Sequence, residues 1–278
     1  MGTVLVTGAG RGIGRATTMR LAGAGWHVLA GVRKPEDGER LAADVNGEVE
    51  PVQLDITNPD DIAALRTRLT SLDALVNNAG IVVGGPIEAV PLDGLRNQLE
   101  VNVIGQVAMT QAFLPLLRAS RGRVVFVSSL SGRVVTPMTG AYNASKFALE
   151  AVADALRMET RPWRIGVSLV EPAQTDTDMW GTADQELDAT VATLSAEHRE
   201  LYAGHVDGMR KVIAMSQKVA TPADKVAAAI ERALNARRPR ARYVVGAGPK
   251  VQGFAAGITP TPLLDRMLSR VSGVPRAL

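Results

Sequence analysis

The stretch Thr7-Gly8-Ala9-Gly10-Arg11-Gly12-Ile13-Gly14 decides how the rest of the sequence is interpreted. It follows the apolar run Thr3–Val6 and precedes a segment of helical spacing, so we predict a turn from a strand into a helix. Glycines at such a turn let the backbone approach a pyrophosphate, whose charge then faces the N–H groups at the helix N-terminus. The stretch predicts a dinucleotide site, and a glycine-rich turn without a ligand is the alternative.

Further short apolar runs, separated by longer segments of helical spacing, predict the other strands. Their interiors are almost uniformly apolar, which is typical of parallel strands covered on both faces. The predicted strands are Thr3–Val6, His27–Val32, Val49–Leu54, Ala74–Val76, Arg123–Val127, Ile165–Val170 and Arg242–Val245. This alternation predicts a doubly wound, Rossmann-type α/β fold of about seven mostly parallel strands with helices on both faces. We expect residues 1–278 to form a single domain.

Two helix starts and one insertion stand out between the strands. Asn58 before Pro59 and two acids predicts an N-cap, and Thr221 is predicted to cap a helix that runs to about Ala236. Residues 176–220 have no strand pattern, and their apolar spacing indicates one or two amphipathic helices. This insertion would be a lid over a pocket or a dimer contact. The lid is favoured because ligands of open α/β sheets bind beyond the carboxyl ends of the strands.

The composition excludes several kinds of site and partner. The absence of cysteine excludes disulfides, iron–sulfur clusters, thiolate zinc sites and a cysteine nucleophile, and three histidines give little support to a metal site. A net charge of +3 does not indicate a nucleic-acid partner. The sequence shows no signal peptide and no apolar run of about eighteen residues, so we expect a cytoplasmic protein without an integral membrane segment.

The end of the second predicted strand bears on the choice of nicotinamide cofactor. The segment Gly31-Val32-Arg33-Lys34 lacks the acid that would bind the ribose 2′-hydroxyl of NAD. An arginine at this place would instead bind a 2′-phosphate, and Arg11 in the glycine loop would supply a second guanidinium. The sequence therefore predicts NADP(H) in preference to NAD(H). The alternative is that Arg33 and Lys34 are solvated turn residues.

Polar motifs follow the later strands in a recognisable order. The sequence has Thr-Gly-x-x-x-Gly-x-Gly at 7–14, Asn-Asn-Ala-Gly at 77–80, Tyr-x-x-x-Lys at 142–146 and a serine thirteen residues before the tyrosine. In these motifs it resembles the short-chain dehydrogenase/reductase family, strongly over residues 3–180. Residues 142–172 and 221–246 are similar to the retinol and hydroxysteroid dehydrogenase branch of that family.

The spacing of Tyr142 and Lys146 places both on one face of a helix. A nearby ammonium and a positively charged oxidised nicotinamide would favour the phenolate and bring the pKa of Tyr142 towards the operating pH. Tyr142 would then be the general acid in reduction and the general base in oxidation. The resemblance implies that Lys146 also holds the nicotinamide ribose, that Ser129 donates to the substrate oxygen, and that Asn102 anchors a water in a relay to Lys146.

The resemblance also implies a set of cofactor-binding residues. They are Thr7, Gly8, Gly10, Arg11, Gly12, Ile13, Gly14, Arg33, Asp55, Ile56, Asn78, Ala79, Gly80, Tyr142, Lys146, Pro172, Thr175 and Thr177. Asp55 would bind the adenine amino group or merely end a strand, and Asn77 is interpreted as a brace between strands. The sequence departs from the family at Ala173, which replaces a glycine and would be strained if the backbone there needed a positive φ.

The predicted substrate pocket is mainly apolar. It would be lined by Leu130, Met138, Met179 and Trp180, and Arg133 is the only cation obviously placed to bind an anion. We therefore expect a small hydrophobic ketone, aldehyde or alcohol as substrate. Two alternatives are a catalytically silent NADP(H)-binding sensor and a sugar-nucleotide epimerase or dehydratase. The complete set of Asn102, Ser129, Tyr142 and Lys146 argues against the sensor, and the lack of a larger C-terminal domain argues against the epimerase.

The resemblance implies a homodimer or homotetramer paired through the two long helices predicted at 92–119 and 141–161. In the tail at 247–278, apolar residues at helical spacing predict a helix over 261–271. This helix would cap a neighbouring subunit, cover the pocket or touch a membrane surface.

Overall fold

Seven parallel strands form one sheet in the computed structural model, which describes residues 2–176, 182–246 and 253–275 except 254 and 256. The chain-order strands are β1 (Thr3–Thr7), β2 (His27–Val32), β3 (Val49–Gln53), β4 (Ala74–Asn77), β5 (Arg123–Val127), β6 (Gly166–Pro172), β7 (Thr175–Asp176), β8 (Thr221–Pro222) and β9 (Arg242–Val245). The seven-stranded sheet has the order β3-β2-β1-β4-β5-β6-β9, and β7 pairs with β8 separately. The predicted fold class is confirmed, and each predicted strand is found to within two residues at either end.

Helices cover both faces of the sheet. They are α1 (Gly12–Gly23), α2 (Pro35–Asp44), α3 (Pro59–Arg68), α4 (Leu92–Leu99), α5 (Gln106–Ser120), α6 (Gly140–Glu159), α7 (Ala183–Thr193), α8 (Ala196–Leu201), α9 (Ala203–Val219), α10 (Ala223–Asn235) and α11 (Thr261–Val271). A π-helical segment, Glu100–Gly105, joins α4 directly to α5. Successive strand residues point to opposite faces, so the apolar strands supply two cores. Helices α1 and α10 close one core, and α5 and α6 close the other.

One predicted helix start is confirmed and the other is wrong. Asn58 caps α3, and its Oδ1 accepts a hydrogen bond from the Asp60 N–H at 3.0 Å. Thr221 does not cap α10, because the N-cap is Pro222 and no side chain caps that helix. Thr221 instead lies in β8, and its N–H donates to the Gln174 carbonyl at 2.9 Å. The chain is extended where it returns to the sheet, so its backbone pairs with β7 and is not placed to cap the helix.

The described part of the insertion, residues 182–220, contains three helices, α7 to α9, and not the one or two that the spacing predicts. Ser195 divides α7 from α8 by capping α8, with its Oγ accepting from the His198 N–H at 3.0 Å. The Tyr202 hydroxyl donates to Glu88 Oε2 at 2.6 Å in the loop after β4, and the insertion also packs against Met138 in the loop after β5. The insertion therefore lies against loops at the carboxyl ends of the strands, as a lid would.

The tail helix α11 spans the predicted residues. Three of its apolar side chains, Leu263, Met267 and Val271, are at least half exposed. Across the described residues, no helix is both long and apolar enough to cross a membrane.

Candidate active site

The glycine loop between β1 and α1 has a conformation that larger residues would not allow. Gly8 and Gly12 have positive φ angles of 63° and 53°. A Cβ on Gly14 would lie 2.1 Å from the Gly8 carbonyl oxygen and 2.6 Å from Asn78 Nδ2. The loop therefore folds tightly against the start of α1 and leaves a cradle at the N-terminus of that helix. Such a cradle fits a pyrophosphate.

The ends of β1 and β4 are joined by side chains predicted to bind cofactor. Thr7 Oγ1 accepts hydrogen bonds from the N–H groups of Asn78 and Ala79, both at 3.0 Å, and donates to the Val76 carbonyl. Asn78 Nδ2 donates to the Thr7 carbonyl at 2.9 Å. These contacts use the Thr7 hydroxyl within the protein, so its observed role is to position the loop. Asn77, predicted to be a brace, donates to Thr110 Oγ1 at 3.0 Å.

Two arginines beside the glycine loop are exposed and unpaired. Arg11 and Arg33 form no ion pair with a carboxylate of the described residues, whereas Arg15 pairs with Asp44 at 2.9 Å. Arg40, in the same region, pairs with Asp37. The guanidinium groups of Arg11 and Arg33 are therefore the ones left available for an anion.

The residues after β3 are partly used in starting the next helix. Asp55 Oδ1 accepts hydrogen bonds from the Thr57 N–H at 2.9 Å and the Thr57 hydroxyl at 2.7 Å, while the Asp55 N–H donates to Asp61. The strand-ending role left open for Asp55 is thus observed. Its Oδ2 accepts no hydrogen bond from the described residues and remains open to an amino group. Ile56 is buried against Gly105.

Tyr142 and Lys146 lie in the first two turns of α6, beside the end of β5, with Lys146 buried and Tyr142 partly buried. The Lys146 Nζ atom donates to the Val127 carbonyl at 2.8 Å and lies 5.8 Å from the centre of the Tyr142 ring. Burial lowers the pKa of Lys146 to about 8, while the charge of Glu150 raises it. Ser129 is placed by a hydrogen bond from the Ser131 N–H to its Oγ at 3.1 Å. Tyr142, Lys146 and Ser129 therefore form one group at the end of β5, with Lys146 and Ser129 buried and Tyr142 partly exposed.

The pKa of Tyr142 is raised, whereas the sequence predicted that it would be lowered towards the operating pH. Burial raises the pKa of the phenol, and a hydrogen bond with the Ser129 side chain lowers it by less. The Lys146 ammonium donates its hydrogen bond to the Val127 carbonyl. The protein alone therefore keeps Tyr142 protonated, which is the state that a proton donor needs.

Asn102 lies in the π-helical segment and braces the loop after β4. Its Oδ1 accepts from the Ile81 N–H at 2.9 Å, and its Nδ2 donates to the Ile81 carbonyl at 3.0 Å and to Ser145 Oγ at 3.1 Å. Both amide hydrogens are thus used within the protein. A water held by Asn102 would therefore have to donate a hydrogen bond to an oxygen atom of Asn102. Turns of π-helix occur frequently at functional sites.

Asn143, inside the Tyr-x-x-x-Lys motif, supports the site although the sequence did not predict it as a site residue. Its Nδ2 donates to the carbonyls of Ser131 and Val134 at 2.9 and 3.0 Å, so it holds the loop that follows Ser129. Met138, in this loop, has a positive φ of 67° and is buried against the insertion. A backbone held in this region by its surroundings is typical of ligand-binding loops. Leu130 packs near Gly253 of the tail.

The loop after β6 contains Ala173, where the sequence departs from the family, and Thr175, which is predicted to bind cofactor. Pro172 is the last residue of β6, and Ala173 is not among the residues with positive φ, so alanine is not strained there. Thr175 is buried in β7, where its hydroxyl donates to the Ala173 carbonyl at 3.1 Å. The candidates Thr177, Met179 and Trp180 lie outside the described residues.

Arg133 differs from its sequence interpretation as a free cation at the pocket. Its Nη1 lies 3.3 Å from Oε2 of Glu171, which is fully buried at the end of β6. The positive charge of Arg133 is therefore paired with a carboxylate of the protein. In the part of the chain that the structure describes, no three His, Asp or Glu side chains are grouped so as to hold a metal ion.

Comparisons with known proteins agree with this geometry. Residues 2–188 match the protein family described as short chain dehydrogenase. The chain is 34% identical to an NADPH-dependent 3-dehydrocapnine reductase of Ornithobacterium rhinotracheale, over 96% of this chain and 94% of that enzyme. It is 33% identical to retinol dehydrogenase 5 of Homo sapiens, over 96% and 88% of the two chains.

Two solved structures have the same fold. A short chain dehydrogenase from Burkholderia cenocepacia J2315 in complex with NADP has a TM-score of 0.74 and 26% identity, with 96% of each chain covered. A short-chain dehydrogenase from Streptomyces avermitilis has a TM-score of 0.78 and 27% identity, covering 97% of this chain and 96% of that one. The chain belongs to the short-chain dehydrogenase/reductase family. It is an NAD(P)-dependent oxidoreductase that acts on CH–OH groups.

The cradle at Gly14 leads to a first prediction. A Gly14→Ala substitution is expected to lower the free energy of unfolding by about 1–3 kcal/mol, because the methyl group would overlap backbone atoms. Because that overlap would open the loop, NADPH affinity should fall as well. Thermal unfolding and cofactor fluorescence measure the two effects. Gly23→Ala in the same helix is the control, since a Cβ there meets nothing within 4 Å. Equal behaviour of the two variants would contradict the assignment.

Proposed function

We propose that this protein is an NADP(H)-dependent oxidoreductase that interconverts a hydrophobic ketone or aldehyde and the corresponding alcohol, with Tyr142 as the general acid and base. The observation that carries the proposal is the group of Tyr142, Ser129 and Lys146 beside the end of β5, in which Ser129 and Lys146 are buried and Tyr142 is partly exposed. It lies at the carboxyl edge of the same sheet as the glycine cradle, which is where ligands of open α/β sheets bind.

The residues of this edge fit a dinucleotide. The cradle formed by Gly8, Gly12 and Gly14 would take the pyrophosphate, and Lys146 would hold the nicotinamide ribose. The bound nicotinamide supplies or accepts the hydride. Ser129 would donate to the substrate oxygen, and Tyr142 would give that oxygen its proton in reduction and remove it in oxidation. The raised pKa of Tyr142 suits the donating role near neutral pH.

The preference for NADP(H) is supported by the free guanidinium groups of Arg11 and Arg33, since planar arginine forks suit a phosphate. The similar reductase from Ornithobacterium rhinotracheale is named as NADPH-dependent, and the structure from Burkholderia cenocepacia contains NADP. The hydrophobic substrate is supported by the apolar side chains of Leu130 and Met138 and by the ion pair that Arg133 makes with Glu171.

The experiment is a panel of hydrophobic ketones, aldehydes and alcohols, assayed with NADPH, NADP, NADH and NAD. We expect turnover of apolar substrates, with a higher kcat/KM for the phosphorylated cofactor. Small carboxylates and sugar phosphates serve as the contrasting substrates, because Arg133 is not free to bind them. A preference for these anions, or cofactor binding without turnover across the panel, would overturn the proposal.

We also propose a homodimer or homotetramer that pairs through α5 and α6. Ile104, in the π-helical segment that leads into α5, is 52% exposed, and Phe147 on α6 is 43% exposed; exposed apolar side chains of this kind are typical of a surface that a second subunit covers. Light scattering should give a molar mass of at least twice that of one chain, and Phe147→Asp should reduce it to that of one chain. Met215→Asp, at an exposed position on the insertion, should leave the mass unchanged. A single-chain mass for the unsubstituted protein would overturn this assignment.

A further inference from the structure

A cluster of charged side chains includes Glu150, which lies one helical turn after Lys146 on α6. Its centre is Arg242, on the last strand of the sheet. The Arg242 Nε atom lies 3.0 Å from Glu150 Oε2 and 3.2 Å from Glu171 Oε1, and its terminal Nη2 lies 2.6 Å from Asp154 Oδ2. Glu171 is fully buried and Glu150 nearly so. One arginine thus pairs with three carboxylates from two different elements, α6 and β6.

Glu150 connects this cluster to the residues of the candidate active site. It lies one helical turn after Lys146 on α6, so the two side chains share a face. The hydroxyl of Ser128, the neighbour of Ser129, donates to Glu150 Oε1 at 2.5 Å. A Cβ on Gly132 would lie 3.0 Å from Glu150 Cγ and 3.1 Å from the Lys146 carbonyl oxygen. The loop that carries Ser129 therefore packs directly on the turn between Lys146 and Glu150.

The burial of the Lys146 ammonium carries a free-energy cost that a nearby negative charge would reduce. A buried ammonium is unfavourable unless an opposite charge lies close to it. Lys146 is almost completely buried, and its one hydrogen bond within the described residues is to the neutral Val127 carbonyl. Of the groups around it, Tyr142 faces it from its own helix and Glu150 is the negative charge that raises its pKa.

We propose that Glu150 is a positioning residue that keeps Lys146 in its charged form, with its carboxylate fixed in place by Arg242 and Ser128. This role rests on the proposed function, in which the Lys146 ammonium acts beside Tyr142. Without that carboxylate, Lys146 would lose its proton at a lower pH. Arg242 has the opposite effect on Lys146, because its positive charge offsets the negative charge of the Glu150 carboxylate.

The test is a direct titration of Lys146 by NMR in protein labelled with ¹³C at lysine Cε, without substrate. The Lys146 signal is assigned with Lys146→Met. In Glu150→Gln, which keeps the size and the acceptor for Ser128, the midpoint should fall by about one unit. In Arg242→Gln it should rise, because a cation is removed and the carboxylate is left unpaired. A purely structural role does not predict opposite shifts.

Asp154→Asn is the matched control, since Asp154 is the partner of Arg242 that lies a further turn from Lys146 and is more exposed. Its effect on the midpoint should stay within about 0.3 unit, because exposed charges are screened. If Glu150→Gln shifts the midpoint no more than Asp154→Asn does, the proposal is wrong. If Glu150→Gln does not fold, the sign of the Arg242→Gln shift decides.

The pH profile of ketone reduction is the second measurement. The loss of activity at alkaline pH should move to lower pH in Glu150→Gln by the same shift as the NMR midpoint, with kcat near pH 6.5 within about twofold of the unsubstituted protein. Turnover that depends on Tyr142 but a profile that does not move would overturn the role of Glu150 alone. Absence of turnover across the whole panel would overturn the proposed function, and the NMR result would stand apart from it.

Discussion

Tyr142→Phe is expected to lower kcat/KM for ketone reduction by about 10³-fold, within the range typical of general acid catalysis. The substitution removes only the hydroxyl, and the phenyl ring can occupy the same partly buried position on α6. No other described tyrosine can replace it, since Tyr202 lies in the insertion, bonded to Glu88, and Tyr243 lies on the last strand. Steady-state kinetics with NADPH and a ketone from the panel measure the effect.

Binding of the cofactor should hardly change in this variant. The Kd for NADPH, measured by fluorescence, is expected to stay within about twofold, because the variant keeps the ring and every other predicted cofactor contact, and the loss of the hydroxyl acts mainly on the transition state of proton transfer. Tyr202→Phe is the matched control and should keep the activity of the unsubstituted protein. If Tyr142→Phe retained more than about a tenth of the activity, another group would be the proton donor.

Arg33→Ala is expected to raise the Kd for NADPH by about 10- to 100-fold, because a hydrogen bond to a charged group contributes about 1.5–3 kcal/mol. The Kd for NADH, which has no 2′-phosphate, should not change. Arg11→Ala should act in the same direction, and the double variant should bind both cofactors with similar affinity. Calorimetry or fluorescence titration with the two reduced cofactors gives the four constants.

Arg15→Ala supplies the control for this comparison. Arg15 lies in the same region of the surface, but its guanidinium is paired with Asp44 at 2.9 Å and is not free for a phosphate. Its removal should affect NADPH and NADH equally and weakly. If Arg15→Ala lowered NADPH affinity as much as Arg33→Ala, or if the unsubstituted protein bound NADPH and NADH equally, the roles of Arg11 and Arg33 would be wrong.

The local patterns of the sequence predicted the sheet because most of its strands are largely apolar runs. A parallel strand that is buried on both faces needs apolar side chains at nearly every position, as β1, β2 and β5 show. The helix start at Asn58 was predicted for the same reason, since a cap and its N–H partner are two residues apart. Thr221 shows the limit, because its partner Thr175 lies far away in the chain.

The site residues were predictable where they form a motif within a few residues. Tyr142 with Lys146 and the glycine loop are such cases. Glu150 carries a partial signal, since it follows Lys146 by one helical turn, but the same spacing is typical of a solvated helix face. Arg242 carries none, because nothing in a strand sequence shows that it reaches α6.

The sequence by itself determined the succession of strands and helices along the chain, the position of the glycine turn and the spacing of Tyr142 and Lys146. All of these depend on neighbours within a turn or a strand. Only the tertiary structure decided which charges are free. Arg11, Arg15 and Arg133 look alike in sequence, yet Arg15 and Arg133 have carboxylate partners and Arg11 has none among the described residues. The energy of a charge depends on its burial and on the charges within a few ångströms, and folding brings these together from distant parts of the chain.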